Sequence, residues 1–374
     1  MVATNRKIFP WVLLMISCVM IAAFAVMWSR VWSVTTIEVP ENYGTIRAVD
    51  HPRVSNWTEP ANNPNEDRSI AVELTDGSLF AGVFDGHGGF DVSDQASALF
   101  TLEALDLEDL DKARREGDAT MTKMFATIER QVEKTQRAKH HQNGSSKNGR
   151  DLRIGSCALV AWLTKNNLIL AYTGDSLAFF FPDEPDADHP EAQQLNEFVH
   201  NIAYGYEQAK LQSRFPHEKP EDLFKCRGVA MTHCYMRGRL QLTRALGDLG
   251  LEPYVTHEPD VIKHTFTRSG YLVLASDGFW DEFPRDQRLV ADLLRKMHST
   301  KVTMGEKARN LVKLAYAVAA ARIGVTAKGL EIETPSWMKR RHIDDITVVV
   351  MRVDLDSPDE VPKKPEEAAD PAST

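Results

Sequence analysis

Three apolar runs of strand length each stop at an acid. Leu79–Phe84 ends on Asp85, Leu168–Gly174 ends on Asp175, and Tyr271–Ser276 ends on Asp277, with Asp281 shortly after. A fourth run, Ile346–Val353, begins just after Asp344-Asp345. These runs are too short and too rich in β-branched and aromatic residues to be helices of ordinary length. Neighbouring runs come in pairs. Asp76-Gly77 separates Ile70–Leu74 from Leu79–Phe84, and Lys165-Asn166-Asn167 separates Cys157–Leu163 from Leu168–Thr173, both suited to hairpin turns. Amphipathic stretches of helix length lie apart from them, at Ser93–Leu107, Ala119–Arg137, Glu197–Ser213, Gln287–Met297 and Gly305–Ile323. Paired strands with segregated helices predict an α+β layered sandwich rather than a doubly wound parallel sheet.

The acids constrain function. If the first three strands run one way and the last runs opposite, their carboxylates meet at one edge of the sheets. Anions gathered there repel one another unless a cation lies between them. Carboxylate and backbone oxygens are hard ligands, suited to Mg²⁺ or Mn²⁺ rather than zinc or copper. One aspartate after a strand is commonly a turn residue, and Asp85-Gly86 and Asp277-Gly278 are both good turn dipeptides. Four such termini, two repeating the same pair, set a metal site beside the turn reading. Glycine also lets its carbonyl approach a metal closely.

Composition excludes some classes. The 374-residue chain has a formal net charge of -9, which argues against nucleic acid as partner and against a two-metal nuclease. No cysteine begins a Cys-x5-Arg loop, which sets aside a thiolate phosphatase. Cys157, Cys226 and Cys234 are odd in number and lack metal-type spacing, so they predict no disulfide framework and favour a reducing compartment.

The N-terminus predicts a single membrane span. After a flank at 1–7, residues 8–28 are uncharged and long enough to cross the hydrocarbon layer as a helix. Arg6, Lys7 and Arg30 bracket the span, and Trp11, Trp28 and Trp32 suit its interfaces. A cleaved secretory signal competes, because Ala23-Phe24-Ala25 has the form of a cleavage site. The basic flanks nearly balance, leaving open the orientation and the choice between a mitochondrial membrane and an endomembrane. Residues 29–54 read as a connector, with irregular Pro-, Asn- and Gly-bearing composition continuing from Ser33 to Pro64. A folded domain is expected over 55–353, and a disordered tail over 354–374. Lys139–Arg150 and Pro182–Pro190 read as surface loops.

In order along the chain stand Asn65-Glu66-Asp67-Arg68, Val83-Phe84-Asp85-Gly86-His87-Gly88-Gly89 and Thr173-Gly174-Asp175-Ser176. Then follow Leu242-Thr243-Arg244-Ala245-Leu246-Gly247-Asp248, Ala275-Ser276-Asp277-Gly278-Phe279-Trp280-Asp281 and Asp344-Asp345-Ile346-Thr347. The ordered set, over about residues 62 to 353, resembles the metal-dependent protein phosphatase family, the type 2C or PPM serine/threonine phosphatases. The resemblance implies two packed antiparallel sheets flanked by helices, an α-β-β-α sandwich. It also implies that Asp85 bridges two Mg²⁺ or Mn²⁺ ions and that the Gly86 carbonyl binds one of them. Asp277 and Asp344 would complete the other metal's protein ligands, Glu66 would act through water, and Asp175 and Asp281 would hold a third, weaker ion. Paired metals activate water for attack on phosphorus, and His87 would protonate the departing serine or threonine oxygen of a phosphoprotein.

The chain departs from the pattern at two places. Asn62 stands where many members carry an arginine that grips the substrate phosphate. The stretch from Pro60 to Arg68, the His200-Asn201 segment and Gly238-Arg239-Leu240-Gln241 resemble the pyruvate-dehydrogenase-phosphatase branch, which also lacks that arginine. Arg68 is then a candidate phosphate contact, with a surface ion pair as the competing role. Asp345 replaces a more usual asparagine and adds charge near the metals. A second reading makes the chain a non-catalytic phosphatase-like scaffold that binds phosphoproteins at a membrane. The presence of Asp85, Asp277, Asp344 and His87 argues against it.

Overall fold

In the computed structural model the described residues are 51–142, 149–186, 190–228, 233–284, 286–330 and 334–355. The expected span at 8–28, most of the connector and nearly all of the tail lie outside them. Among the described residues no helix is long and apolar enough to cross a membrane.

Two five-stranded antiparallel sheets form the domain. One runs in the order Val54–Glu59, Ile346–Val353, Gly270–Ala275, Leu177–Pro182, Gln193–Gln194. The other runs Asp260–Thr265, Asn167–Thr173, Ala158–Thr164, Leu79–Phe84, Arg68–Glu73. Side chains alternate along a strand, and here both sides are buried. Leu79, Ala81 and Val83 face the other sheet, against Leu272, Leu274, Val349 and Met351. Phe80 and Phe84 turn the opposite way, toward Phe100 and Phe125 on helices Asp91–Leu105 and Gly117–Gln142. On the far side Val273, Val348 and Val350 pack against Leu294 and Leu311 of helices Arg288–Ser299 and Met304–Ile323. The second of these helices begins with a Thr303–Glu306 capping box and ends on Gly324 at φ 74°. The layers are helix, sheet, sheet, helix.

Both expected hairpins form. Gly77, at φ 78°, turns the first, and Lys165-Asn166 turns the second, joining Ala158–Thr164 to Asn167–Thr173. Other expectations need correction. The Pro- and Asn-bearing stretch up to Pro64 contains a strand, Val54–Glu59, paired along its length with Ile346–Val353. Its pattern hid it, because at a sheet edge only Val54 and Ser55 are fully buried. The helix expected over 197–213 starts only at Gly205, because His200 and Asn201 turn inward to hold the chain after strand Asn167–Thr173. Cysteine counting also misled. Cys226 and Cys234 sit directly opposite on the hairpin Phe224–Arg227/His233–Met236 and form a disulfide, leaving Cys157 as a free, buried thiol among the described residues. The cysteines therefore give no argument for a reducing compartment.

Candidate functional site

Strands Leu79–Phe84 and Asn167–Thr173 run parallel with one strand between them, so Asp85 and Asp175 emerge at the same end of one sheet. In the other sheet Gly270–Ala275 and Ile346–Val353 are antiparallel neighbours, which brings Asp277, just past one, beside Asp344, just before the other. Sheet packing joins the two pairs. Burial, followed by the charges of Asp67, Asp175 and Asp344, pushes the Asp85 carboxyl well above its ordinary range. Burial, then Asp85, Asp175, Asp281 and Asp344, does the same to Asp277, and Asp85 and Asp277 share a hydrogen bond. Asp281 is raised to about 6 by burial and then by Asp175. Six carboxylates, counting Asp67, thus feel one another, with Asp85, Asp175 and Asp277 half-buried and Asp281 and Asp344 at the open side. That donor set fits hard divalent cations.

Asp175 accepts hydrogen bonds from Asn201 Nδ2 (2.9 Å) and the Cys157 thiol (3.4 Å). Asp85, Cys157 and Asp175 converge closely enough to share an ion. Burial, then Asp175, pushes the Cys157 thiol well up, however, so it remains a protonated donor rather than a thiolate ligand. Glu66 lies at the margin, its pKa raised by burial against the pull of Arg340, whose Nη2 is 3.6 Å away. Its Oε2 is buried without a hydrogen-bond partner, as expected of an atom aimed at a water or cation site. Gly86 admits no side chain, because a Cβ there would lie 2.3 Å from the Glu66 carbonyl oxygen. Gly278 is equally confined, with the Asp345 carbonyl oxygen 2.2 Å from where its Cβ would stand.

His87 stands beside this cluster. Its Nε2 is 2.7 Å from Asp248 Oδ2, and the Asp248 side chain is almost fully buried. Burial pushes the imidazole pKa down, but the charge and hydrogen bond of Asp248, with Asp175 and Glu66, outweigh it and the net shift is upward. Asp248 adopts φ 53°, a left-handed conformation that aspartate tolerates better than most residues. Gly155 lies beneath the pair, where a Cβ would come within 2.1 Å of Asp248 and 2.5 Å of His87. Sequence reasoning quoted Asp248 within a motif without giving it this role. The available signal was Gly247-Asp248, an acid in a glycine turn after the short strand Leu246–Gly247.

Glu129 braces that turn by accepting the Gly247 N–H at 2.9 Å. Burial raises the Glu129 carboxyl to about 7, the hydrogen bond opposing it. The folded state therefore binds this proton more tightly than the unfolded chain, and stability falls as pH rises from about 4.5 to about 7. Glu129→Gln, which keeps an acceptor for Gly247, is expected to stabilise the fold at pH 8 by on the order of 2–3 kcal/mol and at pH 4 by little. Chemical denaturation at the two pH values checks this; equal effects at both would contradict the assignment.

The two expected phosphate contacts are engaged within the protein. Asn62 Nδ2 donates to Asp344 (3.1 Å) and Asp345 (2.8 Å), so this side chain holds a site acid. Arg68 pairs with Asp94 at 2.5 Å and donates to the Asn65 and Asp67 carbonyls, an internal brace. The Asp345 carboxylate turns from the cluster toward the loop before strand Arg68–Glu73. There it accepts the backbone N–H groups of Ala61, Asn62 and Glu66.

Comparison with known proteins agrees with this arrangement. The family model described as "Protein phosphatase 2C" matches residues 54–200 and 224–322, more than half of the chain. "Probable protein phosphatase 2C 78" of Oryza sativa subsp. japonica is 27% identical over 322 residues, covering 79% of this chain and 75% of that protein. "Protein phosphatase 1F" of Mus musculus is 29% identical over 209 residues, covering 55% of this chain but 39% of the mouse protein. Among solved structures, the serine-threonine phosphatase 2C from Toxoplasma gondii superposes with a TM-score of 0.56 at 17% identity, covering 80% and 94% of the two chains. Staphylococcus aureus Stp1 gives 0.52 at 16% identity, covering 81% and 96%. At such identities the structures speak for the fold alone. The matched residues include the strands that present Asp85, Asp175 and Asp277, and the chain belongs to the protein phosphatase 2C family and is a protein phosphatase.

Proposed function

We propose that the chain hydrolyses phosphoserine and phosphothreonine in proteins, using Mg²⁺ or Mn²⁺ held by Asp85, the Gly86 carbonyl, Asp277 and Asp344. Glu66 acts through water, and Asp175 and Asp281 form a weaker outer position. The observation that carries this reading is the convergence of these carboxylates beside the His87–Asp248 pair. When bound, paired divalent cations lower the pKa of water and offset phosphoryl charge. The remaining work falls to side chains. Asp248 orients the imidazole through Nε2, leaving Nδ1 to give a proton to the departing serine or threonine oxygen, and it favours the protonated ring before transfer. Asn62 and Asn201 fix Asp344 and Asp175.

The full chain in detergent is expected to dephosphorylate a phosphothreonine peptide with added Mn²⁺ and to stop when a chelator is added. Folded protein that stayed inactive with Mn²⁺ would favour the scaffold reading. His87→Gln is expected to lower kcat about 100-fold with little change in the Mn²⁺ concentration that half-activates the enzyme. Unchanged kcat would show that another group is the acid.

Two finer readings accompany this one. The stretch from Pro60 to Arg68 with Asn62, the His200-Asn201 segment and Gly238-Arg239-Leu240-Gln241 support a likeness to the pyruvate-dehydrogenase-phosphatase branch. The uncharged run at 8–28 supports a membrane tether, either mitochondrial or endomembrane. Carbonate extraction and protease accessibility of a C-terminal tag test the tether; release of the full chain into the carbonate supernatant would refute it.

A further inference from the structure

Beside the catalytic pair the surface opens into a cleft of about 560 Å³, lined by Gly88, Asp248, Arg150, Arg153 and Arg239 among others. Gly88 follows His87 directly, and Asp248 holds its ring, so the cleft starts where a substrate's phosphorylated residue would sit. Three guanidinium groups on one wall stand out in a chain of formal net charge -9. Arg150 and Arg239 are exposed, and neither forms an ion pair among the described residues. Arg153 is fixed by its backbone, since its carbonyl oxygen lies 2.6 Å from where a Gly88 Cβ would stand. Arg239 sits in the tight turn that follows the cystine-closed hairpin's second strand, its N–H bonded to the Met236 carbonyl at 2.9 Å. A second cleft, of about 380 Å³, shares Arg239 and adds Arg227, extending the basic wall along that hairpin.

The exposed guanidinium groups of Arg150 and Arg239 match carboxylates in geometry as well as charge. The cleft's size suits a few side chains of an extended peptide rather than a nucleic-acid duplex. We propose that this cleft binds acidic residues of the substrate polypeptide flanking the phosphorylated serine or threonine, making the enzyme selective for acidic phosphosites. The proposal rests on the phosphatase reading above and gives its site a substrate class.

The full chain in detergent, with Mn²⁺, is tested on two phosphothreonine peptides of equal length, one flanked by Asp and Glu and the other by Asn and Gln. The acidic peptide is expected to have a kcat/KM about tenfold higher, with the advantage shrinking as salt rises. Arg150→Ala with Arg239→Ala should bring the ratio near one. Arg239→Glu should reverse it in favour of a Lys-flanked peptide, a gain that misfolding does not produce. Equal rates on the two peptides, or an acidic preference that survives in the variants, would overturn the proposal.

A binding arm separates this inference from the catalytic one. Fluorescence anisotropy of a labelled, unphosphorylated acidic peptide, without added metal, should show binding that the double variant weakens at least fivefold. If neither phosphopeptide is hydrolysed but this binding behaves as expected, the phosphatase reading fails and the acidic-peptide cleft stands. If hydrolysis proceeds without acidic preference, the reverse holds. Equal competition by a single-stranded oligonucleotide of the same charge would make the wall a general polyanion surface and overturn the peptide assignment.

Discussion

Asp277→Asn is expected to lower phosphopeptide turnover about a thousandfold and to make the cation-free protein more stable at neutral pH. Loss of turnover follows from removing one anionic oxygen donor from a cluster that has to hold divalent charge. The gain in stability follows from the crowding of acids. Burial, then the charges of Asp85, Asp175, Asp281 and Asp344, raises the folded-state pKa of Asp277 well above its ordinary value. A group of that kind supports folding below its unfolded pKa and loses that support as pH rises toward the folded one. Cation-free wild type should therefore melt at higher temperature near pH 5 than near pH 8, and the asparagine variant should flatten that slope. Mn²⁺ should raise the melting temperature of wild type and have little effect on the variant. Scanning fluorimetry at both pH values, with and without Mn²⁺, reads all three effects. Turnover within tenfold of wild type would remove Asp277 from the centre.

Asp345→Ala is expected to cost about 3–5 kcal/mol of unfolding free energy and to take activity down with it. This carboxylate accepts N–H groups from Ala61 and Asn62 at 2.7 Å and from Glu66 at 2.8 Å, besides the Asn62 side chain. Alanine would leave those donors unpaired in a buried place. Asn62 would also lose one of the two carboxylates it joins, freeing Asp344. Asp345→Asn keeps one acceptor oxygen and should fall between the two. Urea denaturation of all three proteins checks the ranking. If alanine is tolerated within about 1 kcal/mol, the carboxylate is not the anchor that the hydrogen bonds describe.

The central strands and their terminal acids were legible because burial on both sides imposes apolar runs, and Asp-Gly marks where each run stops. Leu79–Phe84 and Ile346–Val353 have the limits read from sequence. Edge strands escaped. Val54–Glu59 and Asp260–Thr265 are half solvated and polar enough to look like linker. Leu177–Pro182 follows an acidic turn and precedes a proline-rich loop, so its phenylalanines were passed over. In the site, the acids declared themselves through repetition. The partnership of His87 with Asp248, 161 residues apart, left no local trace. For Asp345 the charge was legible, and Glu66 and Asp67 both feel it, but the hydrogen bonds to a loop 279 to 284 residues away were not.

The position of Ile346–Val353 between Val54–Glu59 and Gly270–Ala275 bears on synthesis. Among the described residues the first strand pairs with the last, Thr58 meeting Thr347 289 residues later. At about 5–20 residues per second, that strand waits roughly 15 s to 1 min for its partner. Asp344 arrives in the same final stretch. A chain that stops before Asp344 lacks both this acid and the strand that covers Val54–Glu59, and so leaves an open sheet edge.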